Sequence, residues 1–108
     1  MKLLNILDSP EQFDLLEEER KEILLSWIRD NLEPRKAFNE YHSSYGLKHI
    51  VEHMTGEYYY NGAFKGAMLK AGYTPKRESD QNWIFAISEK SPGLIEQRQN
   101  YPHSVKKY

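Results

Sequence analysis

Between Ser43 and Ser88 the spacing of apolar positions changes once, from helical to alternating, and the rest of the chain is arranged around that change. Leu47, Ile50, Val51 and Met54 recur at spacings of three and four, which predicts a helix opened by the hydroxyl of Ser43 or Ser44 and closed by Gly56. Phe64, Ala67, Met68 and Ala71 repeat the pattern and predict a second helix, capped by Asn61 and ended at Gly72. Beyond Gly72 the period drops to two. Trp83, Phe85 and Ile87 oppose Ile84 and Ala86 along residues 82–88, and Tyr73–Arg77 can pair with them across the polar loop Glu78–Gln81. The expectation is a C-terminal β-hairpin.

Upstream, Ser9, Pro10 and Gln12 make a helix start, with Ser9 as cap, proline at the first helical position and Gln12 placed for a capping box. Phe13, Leu16, Ile23, Leu24, Trp27 and Ile28 line one side of a long N-terminal helix, while Glu17–Glu22 form its wet side and allow a break near Leu16. Pro34 ends it. Pro34–Tyr41 is a connector anchored by Ala37, Phe38 and Tyr41, with room for a short edge strand. Ser91, Pro92 and Gly93 can open a last short helix to Asn100, and residues 101–108 show little periodicity. Trp27 and Trp83 are expected in the core.

A chain of 108 residues accommodates one domain, and its 13% aromatic content offsets a modest 39% of hydrophobic residues. There are no cysteines, which removes disulfides and thiolate metal sites and leaves the cytoplasm as the default compartment. No apolar run approaches the roughly 20 residues of a membrane span, and Met1–Leu7 lacks the features of a signal peptide.

The formal net charge of −1 hides a gradient. Residues 1–33 hold four basic side chains against nine acidic ones, residues 34–77 hold seven against three, and residues 78–108 balance four with four. The positive part coincides with the two short helices and the first hairpin strand, where a duplex-facing surface would lie.

His49-Ile50-Val51-Glu52-His53 fits the H-x-x-E-H pattern of one class of zinc peptidases, in which two histidines one turn apart reach a metal beside a glutamate base. The short helix, the missing third ligand and the lack of cleft walls favour two solvated histidines instead. No thiol, nucleophile elbow or phosphate-binding glycine loop is present, so no catalytic residue, metal or cofactor is expected.

The second helix is the expected reader of DNA. With its stripe inward, Lys65 and Lys70 reach phosphates and Asn61 a phosphate or base edge, with Lys48 beside them and Lys76 and Arg77 at the hairpin. Gly62 and Gly66, four apart, alternatively make a flat patch for another helix or protein. The turn Tyr58-Tyr59-Tyr60 exposes at least one ring, with Tyr60 the best candidate for packing, and Glu17, Glu18, Glu19 and Glu22 form a solvated face or a phosphate-like surface for a basic partner.

Tyr45–His49, Asn61–Met68, Ala71–Tyr73 and Asn82–Trp83 together resemble a small winged-helix-like module of short proteins from Gram-positive phages and other mobile elements, over about half the chain. The resemblance implies regulation, or interference with a host or rival system. The expected class is α+β and winged-helix-like: one domain over residues 1–90, with an N-terminal helical segment at 1–33 and the helix-turn-helix and hairpin at 43–88, followed by a partly ordered tail at 91–108. The expected function is a non-enzymatic DNA-binding regulator, acting as a homodimer to double its basic surface. The alternative is a protein-binding inhibitor or adaptor, for example a phage-encoded inhibitor of a host defence system, using the glycine face, the tyrosine turn or the acidic helix.

Overall fold

The computed structural model describes residues 6–76 and 81–100. Two 3-10 stretches, Ile6–Asp8 and Pro10–Leu15, lead into four helices: α1 (Glu18–Asn31), α2 (Ser44–Thr55), α3 (Asn61–Lys70) and α4 (Pro92–Asn100). The break near Leu16 falls where the acidic run interrupts the apolar stripe. Ser9 sits at the cap position without a side-chain cap bond, and Leu16, in extended backbone, separates the second 3-10 stretch from α1. In α1, Leu24, Trp27 and Ile28 face the core, and Leu32 turns to extended backbone two residues before Pro34. In α2, the Ser43 hydroxyl accepts from the Gly46 amide at 3.2 Å, and Gly56 ends the helix at φ 76°, a left-handed conformation that suits glycine.

The centre of the molecule is α3. Every residue from Asn61 to Met68 is buried, the mark of an interior helix rather than one with a wet face. The stripe Phe64, Ala67 and Met68 enters the main core with Leu24, Ile28, Leu47, Ile50, Val51 and Phe85. The opposite side carries Gly62 and Gly66, and there the backbone of Ser9 and Pro10 and the side chain of Phe13 lie directly on the helix. The flat glycine patch does receive another segment, but it is the chain's own N-terminal one. At its end, Tyr73 N–H bonds the Met68 carbonyl at 3.0 Å and Gly72 N–H bonds that of Leu69 at 3.0 Å, a left-handed helix termination with Gly72 at φ 98°.

The winged-helix-like α+β expectation is overturned. Among the described residues there is no β-strand and no C-terminal hairpin; residues 83–88 make isolated bridges, Pro34 with Ile87, Ser43 with Ile84 and Lys76 with Ile84. The register explains why. Arg35, Asn39 and Ser44 donate to the carbonyls of Ala86, Phe85 and Trp83, so the ten residues 35–44 of the connector pass only the four residues 83–86 of the segment, and a path that loops this far cannot form a ladder. On the other flank Lys76 and Ile84 exchange both backbone bonds, but the Ala86 carbonyl, which the next rung would use, accepts from Arg35 instead, and the expected hairpin loop lies largely outside the described residues. Burial also departs from alternation: Trp83, Ile84, Phe85 and Ile87 are all buried, because the segment is enclosed on both faces. Helix α4 packs against α1 and α2 and brings Leu94 into the core. Among the described residues no helix is long and apolar enough to cross a membrane.

Candidate functional site

The expected DNA contacts are not brought together on an open face. Asn61 is 6% exposed, and its amide nitrogen lies 3.1 Å from Asp8 Oδ1, 3.1 Å from the Gln81 carbonyl and 2.9 Å from Asn82 Oδ1. Tyr60, not Asn61, holds the cap position of α3. Lys65 is 3% exposed; its ammonium donates to the Asp8 carbonyl at 2.9 Å and sits 4.8 Å from the Trp83 ring. Burial lowers its pKa, partly offset by the Asp8 carboxylate. Lys48 is also buried and pairs with Glu52 at 2.9 Å. Lys76 pairs with Glu40 at 2.5 Å. Lys70 is exposed at the end of α3, and Arg77 lies outside the described residues. Phe64, Ala67 and Met68 of the α3 stripe turn inward while Ala71 stays exposed, but the opposite side is covered too, so Asn61 and Lys65 fasten the N-terminal segment instead of facing a groove.

What the fold does present is the turn between α2 and α3. Residues 57–60 hold no regular secondary structure, Tyr60 is in extended backbone, and the burial of successive tyrosines alternates. Tyr59 is buried, and Tyr58 and Tyr60 point outward; the ring expected to pack, Tyr60, is one of the two exposed. Tyr59 anchors the turn through its amide to Glu52 at 3.0 Å and its hydroxyl to the Arg20 carbonyl at 3.2 Å, and burial raises its pKa. From α1, Arg20 donates to the Tyr58 carbonyl, lies 3.3 Å from Glu57 and stacks 4.8 Å from the Tyr59 ring. A guanidinium held by three partners fixes the turn without adding flexible charge.

The outward rings form one band. Tyr58 and Tyr60 meet edge to face at 5.6 Å, and Tyr45 meets His49 in the same way at 4.4 Å. The Lys48 ammonium joins the pairs, 5.0 Å from the Tyr58 ring and 5.2 Å from that of Tyr45. Beside the band, Gln12, Leu15, Leu16, Glu17 and Arg20 line with Tyr58, Tyr59 and Tyr60 an open groove of about 370 Å³, where Leu15 is 76% exposed. Of the H-x-x-E-H pattern, Glu52 is engaged by Lys48, the Tyr59 amide and His49, the last at 3.4 Å. Burial, then the Lys48 charge, lowers the His49 pKa. Among the described residues no three His, Cys, Asp or Glu side chains gather as a metal site.

The sequence pattern gave no signal for two polar nodes. Asp8 ties the N-terminal segment to Asn61, Lys65 and Gln81. Glu89 gathers His42 at 2.8 Å, Asn39 at 2.6 Å and Arg98 at 2.8 Å. Their partners are distant in sequence and no local pattern marks them.

No protein-family model, curated protein or solved structure matches the chain. Its class therefore rests on its own architecture: a mostly helical domain built on an interior helix, with an ordered aromatic turn at its surface.

Proposed function

We propose that the chain is a non-enzymatic protein-binding module of the inhibitor or adaptor kind, acting through the band Tyr45, His49, Tyr58, Tyr60 and Leu15. One observation carries the reading: of the groups a duplex contact would use on α2 and α3, Lys48, Asn61 and Lys65 are buried in internal bonds and Lys70 alone stays exposed, while large rings and an aliphatic side chain stay exposed and mutually supported. Tyrosine supplies broad contact area with few rotatable bonds and is over-represented among interface hot spots. The rings are already ordered by Arg20, Lys48 and Tyr59, so binding costs little side-chain entropy. A duplex contact through α3 would first have to displace Ser9–Phe13 from the helix.

The test is a photoreactive residue at Tyr60, with the same residue at exposed Lys90 as control, in cells that express the chain. Crosslinking from Tyr60 should give a discrete protein adduct that the control lacks. That protein, purified, should lose about tenfold or more in affinity for the Tyr58→Ser, Tyr60→Ser variant. The reading fails if Tyr60 yields no adduct, or if a short DNA duplex binds the intact chain in a salt-dependent manner and Lys70→Glu abolishes it.

A further inference from the structure

The C-terminal ends of α1 and α3 border a cavity of about 500 Å³ that shares no residue with the tyrosine turn. Its apolar wall is continuous with the core: Ile28 and Leu32, 1% and 4% exposed, line it, together with Leu25 and Tyr73, which pack partly against the same cluster. The chain leaves α3 through Ala71 and Gly72, whose side chains are too small to fill the space, and a β-carbon at Gly72 would meet nothing within 4 Å. Ala71 is the last position of the α3 apolar stripe, and it stays exposed where it lines this cavity.

The charge of the lining is of one sign. Arg29 and Lys70 line the cavity and no acid does. Arg29 meets Asp30, its neighbour in sequence, at 3.3 Å, but the two side chains are 69% and 64% exposed, so the pair is weak. Among the described residues no ion pair engages Lys70, although Glu11 and Asp14 line with it a separate cavity of about 280 Å³. Glu33 acts on Tyr73, whose pKa is raised by burial and then by that carboxylate, without lining the cavity. A basic residue in the last turn of each helix suits its dipole. The dipoles alone do not bring both cations to one apolar hollow that the described chain leaves unfilled.

We propose that this cavity binds a small amphipathic carboxylate of the fatty-acid kind, with its aliphatic chain against Leu25, Ile28, Leu32 and Ala71 and its carboxylate at the mouth, beside Arg29 and Lys70. The volume is that of a small-molecule site, and a guanidinium pairs with a carboxylate through two parallel bonds. A polyphosphate or nucleic acid fits less well, because the partial negative charge of two helix C-termini opposes a polyanion and only two cations line the site to offset it. The site lies at the other end of α3 from Tyr58 and Tyr60, so the inference goes beyond the docking band and does not depend on it.

The experiment titrates decanoate, below its micelle concentration, into the purified, isotope-labelled full chain and follows the backbone amides by NMR, with decylammonium as control for the chain and acetate for the head. Decanoate should bind saturably, shift the amides of Leu25, Gly72 and Tyr73, and raise the melting temperature; neither control should. Arg29→Gln, Lys70→Gln removes both charges at exposed positions, so it should keep the parent spectrum while weakening decanoate about fivefold. Ala71→Phe, which fills the cavity from an exposed position, should abolish saturable binding. The proposal is overturned if decanoate does not saturate, if either control binds as well as decanoate does, if the shifts centre on other amides, or if the charge variant or a folded Ala71→Phe chain binds decanoate like the parent. Should Ala71→Phe unfold the chain, the charge variant and the position of the shifts still decide.

Discussion

Gly66→Ala on α3 separates a covered helix face from an open one by the sign of its effect. Gly66 has negative φ, so backbone strain does not enter. In an exposed helix interior the substitution should stabilise by about 1 kcal/mol, because alanine loses less backbone entropy than glycine. Here the new methyl group would lie 2.5 Å from Phe13 Cβ and well inside contact distance of the Pro10 carbonyl oxygen. Both neighbours belong to or sit next to backbone, so relief requires the Pro10–Leu15 stretch to move by on the order of 1 Å. That movement would lift Phe13, 4% exposed, out of the core and pull on the Asp8 contacts with Asn61 and Lys65. Overpacking of this kind costs about 1–3 kcal/mol, and at a site this tight the upper part of that range applies. After the propensity gain, a net loss of about 1–2 kcal/mol is expected, or a fall of about 4–16 °C in melting temperature for a domain of this size. Urea unfolding followed by circular dichroism measures it. Gly72→Ala is the control, because its added methyl meets nothing within 4 Å and its cost comes from φ 98° alone. A Gly66→Ala chain as stable as the parent, or more so, would refute the covered face and return α3 to the surface.

The remaining predictions concern buried charge. Lys65→Glu should destabilise by about 3–5 kcal/mol, since it replaces an ammonium bonded to the Asp8 carbonyl with a buried carboxylate close to that of Asp8; Lys65→Met, which keeps the stem over Trp83, should cost far less, and equal losses in chemical denaturation would contradict the placement. The second concerns pH. Burial lowers the His42 pKa despite the opposing Glu89 carboxylate, with the Arg98 and Arg35 charges adding to the lowering. A base that binds its proton less tightly folded than unfolded gives its full stability above the ordinary value of 6.5 and loses it as pH falls from there toward the folded value. The urea midpoint should therefore drop on acidification below about pH 6.5. His42→Gln should flatten part of that drop, with a residue left by His49, which is shifted the same way. An unchanged profile in the variant would remove His42 as the source.

Local signals hold at some positions and not at others: the cap expected at Asn61 falls on Tyr60, and Ser9 makes no side-chain cap bond and opens a 3-10 stretch rather than a long helix. The Ser43 cap, the Gly56 and Gly72 terminations, the break near Leu16 and the helix opening at Pro92 each depend on a few neighbouring residues, and each appears in the structure at those residues. The hairpin failed because residues 82–88 have the composition of a strand but no partner in register: a strand is a relation between two segments, and the connector from Pro34 to Ser43 makes too many turns to supply one.

The candidate site turned on a similar ambiguity in α3. Small residues opposite an apolar stripe signal close approach by something, and Gly62 and Gly66 specify that the approach is tight without saying what makes it. Two features of the N-terminal stretch point to the occupant: Phe13 needs a core, and the proline-started 3-10 stretch lays the Ser9 and Pro10 backbone against the glycines. Once that segment occupies the helix, Asn61 and Lys65 must find bonds inside the protein, since an unpaired amide or ammonium at that depth would cost several kcal/mol. Asp8 gives both of them partners. The surface left for contact with another protein then passes to the turn after α2, where Tyr59 is drawn into the core and Tyr58 and Tyr60 stay exposed.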